Sequence, residues 1–195
     1  MFQGDITIGW KKQENRLVTG GWFLMDTKKI YLAGGCFWGV QKYFDQIKGV
    51  VATRVGYANG YVDAPTYEEV KKQNTGHAET VMVEYDPQVV GLGFLLEMYY
   101  KVIDPVSVNK QGEDQGTQYR TGIFWEDETD RETVESSLAQ LQEQYSDPLA
   151  VEYEPLKSFF DAEDYHQEYL KKHPSGYCHI SQEAFEMAAK AEPEV

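Results

Sequence analysis

The chain predicts an α+β domain of two layers, a ferredoxin-like βαββαβ plait with one added helix and one added strand. Three observations carry this expectation. From Lys28 onward the apolar pattern alternates between a period of 2 and a period of 3.6, in the order strand, helix, strand, strand, helix, strand, which is that of a split βαβ unit. A length of 195 residues suits one domain with a substantial core. Hydrophobic residues make up 42% and aromatics 14% of the chain, a globular rather than a disordered composition.

Residues 1–24 have mixed polarity and no sustained period, and Met25-Asp26-Thr27-Lys28-Lys29 reads as a natural start. The first stretch is therefore expected to be an N-terminal extension or a cloning remnant without function, with the domain over 25–180 and a C-terminal tail over 181–195. The run 29–33, with Ile30 and Tyr31, predicts the first strand, and Val40, Phe44 and Ile47 recur at helical spacing over 37–48. A second strand is expected over 50–57, entered through Gly49. The polar segment 58–76 carries Asn59-Gly60 and Pro65 as turn signals, and a loop of that length inside a domain is usually functional. The third strand, 78–85, alternates cleanly and stops at Asp86-Pro87. A helix over 92–103 lines up Leu92, Leu95, Leu96, Tyr99 and Ile103 and ends at Asp104-Pro105. After a second long loop, 106–119, come a strand over 120–125, a helix over 129–144 with Val134, Leu138, Leu141 and Tyr145 in line, and a strand over 149–153.

Chemistry concentrates at Gly34-Gly35-Cys36-Phe37-Trp38-Gly39. Cys36 falls where the first strand turns into the first helix, where free backbone N–H groups and the positive end of the helix dipole stabilise an anion. A thiol there is expected to ionise more readily than a free one. The alternative is a small buried apolar residue; the flanking glycines and paired aromatics favour a nucleophile. In the third strand, alternation puts Glu79 on the same face as Val81, Val83 and Tyr85. Burial there would raise its pKa and make it a proton donor near neutral pH; if it lies just outside the strand, it is solvated instead. The loop from Asn109 to Arg120, rich in amides and acids and punctuated by Gly112 and Gly116, suits hydrogen bonding to something small, or simply a solvated loop.

The segment from Tyr165 to His179 holds the second cysteine and three of the four histidines. It lacks the Cys-x-x-Cys or His-x-x-x-His pairs of a zinc site, so no metal is expected. Cys178, near Pro174 and Gly176, lies in a stretch expected to be mobile, which would let it visit a fixed cysteine. A formal charge of −14 argues against a nucleic-acid partner. No charged-then-apolar leader or run of about 18 apolar residues points to export or a membrane. Two cysteines in a chain of this size imply the reducing cytoplasm, where they are more often redox-active than structural.

Gly35-Cys36-Phe37-Trp38-Gly39, Thr66-Tyr67-Glu68-Glu69-Val70, Gly76-His77-Ala78-Glu79, Gln118-Tyr119-Arg120-Thr121-Gly122 and Gly176-Tyr177-Cys178 occur in the order found in the peptide methionine sulfoxide reductase A family, and the chain resembles that family from about Lys28 to Ile180. The resemblance implies reduction of methionine-S-sulfoxide, free or in proteins, to methionine without a cofactor, and so the repair of oxidised proteins. It implies that Cys36 takes the oxygen as a sulfenic acid, that Phe37 and Trp38 form the pocket for the substrate methyl group, and that Glu79, Tyr67 and Tyr119, with Asp114 close by, bind and protonate the oxygen. It further implies that Cys178 closes a disulfide on Cys36, which thioredoxin opens. Two departures stand out. Glu113 precedes Asp114 where the family often has Asn, and no cysteine follows Cys178, which excludes a three-cysteine relay. Gly-Cys-Phe-Trp is also similar to the Cys-Trp of papain-like proteases, with His77 or His166 as base. A binding module on a plait fold is the third option.

Overall fold

The computed structural model describes residues 26–193. The reading of residues 1–24 as an extension lies outside them. In chain order the elements are β1 (Lys28–Gly34), α1 (Phe37–Phe44), β2 (Val50–Ala58), α2 (Tyr67–Lys71), β3 (Ala78–Tyr85), α3 (Leu92–Tyr100), β4 (Lys110–Gln111), β5 (Asp114–Gln115), β6 (Thr121–Trp125), α4 (Arg131–Gln142), β7 (Glu152–Pro155), β8 (Phe159–Asp161), α5 (Tyr169–Lys172) and α6 (Gln182–Lys190). Six strands form one sheet in the order β7-β6-β1-β3-β2-β8, while β4 and β5 make a separate small hairpin. Neighbours in the large sheet run antiparallel except β6 and β7, which are parallel. The result is a mixed α/β domain. No helix among the described residues is long and apolar enough to cross a membrane.

Side-chain alternation divides the sheet into two faces. Ile30 and Leu32 of β1 and Val81, Val83 and Tyr85 of β3 join a core with Val40 and Phe44 of α1, Leu95 and Tyr99 of α3, Val134 and Leu138 of α4, and Phe185 of α6. Tyr31 and Ala33, Ala78 and Met82 point the other way into a smaller cluster with Phe124, covered by Leu156 and Phe159. The apolar side chains that the four longer helices bury thus belong to the larger cluster.

Several elements differ from the sequence expectation. α1 stops at Phe44 and α3 at Tyr100, each shorter than its periodic pattern, because Ile47 and Ile103 pack from the turns that follow. The long loop after β2 contains α2, started by a capping box in which the Glu69 carboxylate accepts the Thr66 N–H at 2.9 Å. The last predicted strand forms as β7, displaced toward Pro155, and β8 adds an unforeseen edge to β2. The segment read as a C-terminal tail carries α6, capped by the Ser181 hydroxyl accepting the Ala184 N–H at 3.2 Å, with Phe185 and Ala188 buried.

Tyr99 ties the helical layer to the end of the sheet that holds Gly34. Its hydroxyl donates to the Ala33 carbonyl at 2.6 Å and accepts the Gly122 N–H at 3.2 Å, bridging β1 and β6 where both are buried. Tyr99→Phe leaves both backbone groups without that partner and is expected to cost about 1–3 kcal/mol in urea unfolding, with an unchanged m value. A loss within error of zero would mean that the strands re-pair on their own.

Candidate active site

β1 delivers the chain to Gly35, whose φ of +81° makes a left-handed turn that a side chain would strain. Cys36 follows as the N-cap of α1. The free N–H groups of the first helical turn are then shared out: Phe37 N donates to Glu79 Oε2 at 3.2 Å, and Trp38 N points to the Cys36 sulfur. Cys36 is only 7% exposed. Burial, and after it the Glu79 carboxylate, pushes the thiol well above its ordinary range, with the Trp38 N–H pulling the other way. The expectation of a readily ionised thiol is therefore corrected. Desolvation and a neighbouring acid outweigh the helix start, and Cys36 rests as a neutral thiol.

Glu79 lies on the core face of β3, opposite Tyr57 of β2, and is 2% exposed. Burial, opposed by the Phe37 N–H and assisted by Asp114, pushes its carboxyl up to about 8. At neutral pH it carries its proton. Of the two readings left open by the sequence, the buried one describes the molecule.

The apolar wall beside Cys36 is assembled from distant parts of the chain. The half-buried Trp38 stacks on Tyr169 at 3.8 Å and 14°, and its Nε1–H donates to His166 Nδ1 at 3.1 Å. His166 also packs against Phe37, Tyr67 and Tyr165. Burial lowers its proton affinity, which keeps Nδ1 available as the acceptor for Trp38. Phe37 is buried in the main core, its ring 6.0 Å from that of Tyr57. Glu163 holds the frame: it accepts from the Tyr57 hydroxyl and from Tyr67 N, both at 2.8 Å. Glu163 and Tyr169 were not singled out as parts of this site from the sequence, and His166 only as the base of a protease, since their partners become neighbours only through the fold.

Across the site, β5 carries Asp114, whose Oδ2 accepts from the Tyr177 hydroxyl at 3.2 Å and lies 3.8 Å from His179 Nδ1. Burial raises Asp114, and the exposed Glu113 adds to that rise. Tyr119 stands within electrostatic reach of Glu79, Tyr67, Cys36 and Asp114. Burial pushes Tyr67 up to about 12 and raises Tyr119 as well, so both phenols keep their protons. Cys178 does not stand away as a loose segment. It is half-buried, its sulfur packs on Gly39 of α1, and Ile180 just beyond it belongs to the main core. Both cysteines are free.

Cys36, Phe37, Trp38, Tyr67, Glu79, Asp114, Tyr119 and Cys178 thus come together at the start of α1. A neutral thiol, a protonated carboxyl and two phenols beside an aromatic wall can bind an uncharged group with an apolar and a polar end, attack it and protonate its oxygen. His77 lies apart from that thiol, its Nδ1 accepting the Gly60 N–H and its Nε2 2.8 Å from the Val62 carbonyl. His166 spends its Nδ1 on Trp38. Among the described residues no three His, Cys, Asp or Glu side chains gather as a metal site.

The family model described as peptide methionine sulfoxide reductase matches residues 28–194. A protein of Lachnoclostridium phytofermentans named peptide methionine sulfoxide reductase MsrA is 58% identical over 164 residues, covering 84% of this chain and 99% of that one. The crystal structure of Mxr1 from Saccharomyces cerevisiae in reduced form superposes with a TM-score of 0.76 at 36% identity, over 83% of this chain and 94% of that one. The structure of the same yeast protein in complex with Trx2 gives a TM-score of 0.55 at 26% identity, over 77% and 90% of the two chains.

The burial of Glu79 has a thermodynamic consequence. The unfolded chain releases this proton near 4.5 and the native one holds it to about 8, so its effect on stability is constant below the first value, falls between the two and flattens above the second. Glu79→Gln removes the penalty, which is on the order of a few kcal/mol. The variant is expected to melt above wild type at alkaline pH, the gap closing as pH falls toward the unfolded value. Melting curves that stay parallel across pH would show an ionised, solvated Glu79.

Proposed function

Since the chain belongs to the peptide methionine sulfoxide reductase family and so carries out the thiol-dependent reduction of methionine sulfoxide to methionine, we propose that Cys36 is its nucleophile and Glu79 its general acid. The observation that carries this reading is the buried Glu79 carboxyl, fixed by Phe37 N at 3.2 Å at the helix start where the buried Cys36 thiol lies, a setting in which burial favours the neutral form of both. A sulfoxide is uncharged, with a polar oxygen and apolar carbon arms. Its oxygen meets Glu79, Tyr67 and Tyr119, with Asp114 behind them, and its methyl group lies on Phe37 and Trp38. Glu79 gives its proton to the oxygen, which makes the sulfoxide sulfur electrophilic, and recovers one from the Cys36 thiol as the sulfur of Cys36 attacks. The S–S bond so formed between Cys36 and the substrate then breaks as the hydroxyl passes from the substrate sulfur to Cys36, which leaves Cys36 as a sulfenic acid, the reversible rung of thiol oxidation, and the substrate as methionine with the two electrons gained. The handed pocket favours the S epimer, in free methionine sulfoxide or in proteins.

Recycling falls to Cys178. Its thiol attacks the sulfenic sulfur, an S–S bond forms as the S–O bond breaks, and the oxygen leaves as water. Thioredoxin then reduces the Cys36–Cys178 disulfide; the solved complex of a related reductase with Trx2 supports this partner. The two free cysteines are in keeping with the reducing cytoplasm as the place of work. The central strands, in the order β6-β1-β3-β2 and antiparallel throughout, support reading the core as a ferredoxin-like plait to which α4, β7 and further elements are added. We read 25–180 as the reductase domain, with the stretch beyond it, α6 included, as an appended clasp.

Two variants test these roles. Single-turnover sulfenic acid formation by the wild type is expected to decline as pH rises through about 8, because deprotonated Glu79 has no proton to give and repels the oxygen. Glu79→Gln is expected to be slower by roughly a hundred- to ten-thousand-fold and to lack that limb. Equal profiles for the two proteins would move the acid to Tyr67 or Tyr119. Cys178→Ser is expected to release about one methionine per enzyme and then stall with thioredoxin as reductant. Undiminished turnover would make Cys178 a bystander.

A further inference from the structure

Gly39 stands inside α1, where alanine is favoured over glycine by about 1 kcal/mol on helix grounds. It has no left-handed backbone to justify it, unlike Gly35 and Gly112. What it has is a neighbour. A β-carbon at Gly39 would lie 2.9 Å from the sulfur of Cys178, 3.4 Å from Ile180 Cδ1 and 3.5 Å from His179 Cε1, and these three contacts come from three consecutive residues. The bare faces of two further glycines complete the seat: His179 Cε1 lies 3.3 Å from the β-position of Gly35, and His179 Cβ 3.5 Å from that of Gly112.

We propose that Gly39, with Gly35 and Gly112, is a cradle that docks Cys178–Ile180 against the first turn of α1 and so sets the recycling thiol in place for disulfide closure. This rests on the reading of Cys178 as the recycling thiol. His179 is the plug of the cradle. Its ring is buried beside the Gly34 carbonyl and Asp114, yet neither nitrogen has a well-formed hydrogen bond. A buried ring with unmet nitrogens costs stability, so its place there has to be explained by what it positions. The segment is also anchored from its far side. Ser181 starts α6 directly after Ile180, and Phe185 lies under the Lys42 ammonium of α1 at 4.3 Å. Gly39 is thus a positioning residue. It touches no substrate, and it leaves room for the sulfur that must reach Cys36.

Gly39→Ala puts a methyl group 2.9 Å from the Cys178 sulfur, closer than the two atoms can stand, so that the sulfur has to shift. With a methionine-S-sulfoxide peptide and no reductant, quenched samples are followed for methionine, for sulfenic acid with a dimedone-type trap, and for the Cys36–Cys178 disulfide by mass. The variant is expected to release methionine at close to the wild-type rate while disulfide closure slows by up to about a hundred-fold, the loss that misplacing a reacting group by an ångström can cause. Turnover driven by thioredoxin is expected to fall with closure, and turnover driven by dithiothreitol, which can attack the sulfenic acid itself, to hold. Closure at the wild-type rate, or reduction and closure slowed equally, overturns the proposal. If Gly39→Ala does not fold, His179→Ala, which empties the plug without adding an atom, decides it by the same readouts. A wild-type protein that forms no such disulfide would instead sink the recycling role of Cys178, and the cradle with it.

Discussion

The organisation of the site depends on a carboxyl buried where charge is not tolerated. Glu79 sits on the core face of β3 in line with Val81 and Val83, and among the described residues its one backbone donor is the first N–H of α1. Water would stabilise the ionised form far better than that single contact does, so the proton stays on until about pH 8. The acid that results is neutral, dry and fixed in direction by the helix that also begins with Cys36.

A neutral acid has consequences for its neighbours. An ionised Glu79 pushes the Cys36 thiol upward; a protonated one removes that push and leaves burial as the main cause. The resting site therefore holds no compensating pair of charges. It suits a substrate that is itself uncharged and becomes charged only on the way to products. The aromatic wall serves the same end. Trp38 is held between Tyr169 and His166, and Glu163 fixes Tyr57 and Tyr67 by hydrogen bonds, so the groups proposed to meet the substrate are oriented by partners outside it. Binding then costs little further ordering.

Much of this was legible in the chain because the informative residues break a local rule. Glu79 is a misfit on an apolar face, and Cys36 lies between glycines at a change of period. The strands β1, β2, β3 and β6 declare themselves by alternation. Other elements have no such voice. β8 is three residues of edge strand, α5 is four residues long, and α6 shows only Phe185 and Ala188 as buried positions in a polar stretch. The capping box at Thr66 and Glu69 was a readable signal for α2 and would have divided the long loop. The upward shift of Cys36 was not readable, because it comes from burial supplied by the whole fold, whereas the helix start is local and visible. The pairing of Trp38 with His166 likewise joins residues that share no pattern in the sequence.

The most direct test of this account is the protonation state of Glu79 itself. Difference infrared spectroscopy of wild type against Glu79→Gln reads the carbonyl stretch of a protonated carboxyl without reference to activity. The account predicts that this band is present at neutral pH, is absent from the variant and fades as pH rises through about 8. An ionised carboxylate signature for Glu79 at neutral pH, in a protein that still reduces sulfoxide, would contradict it.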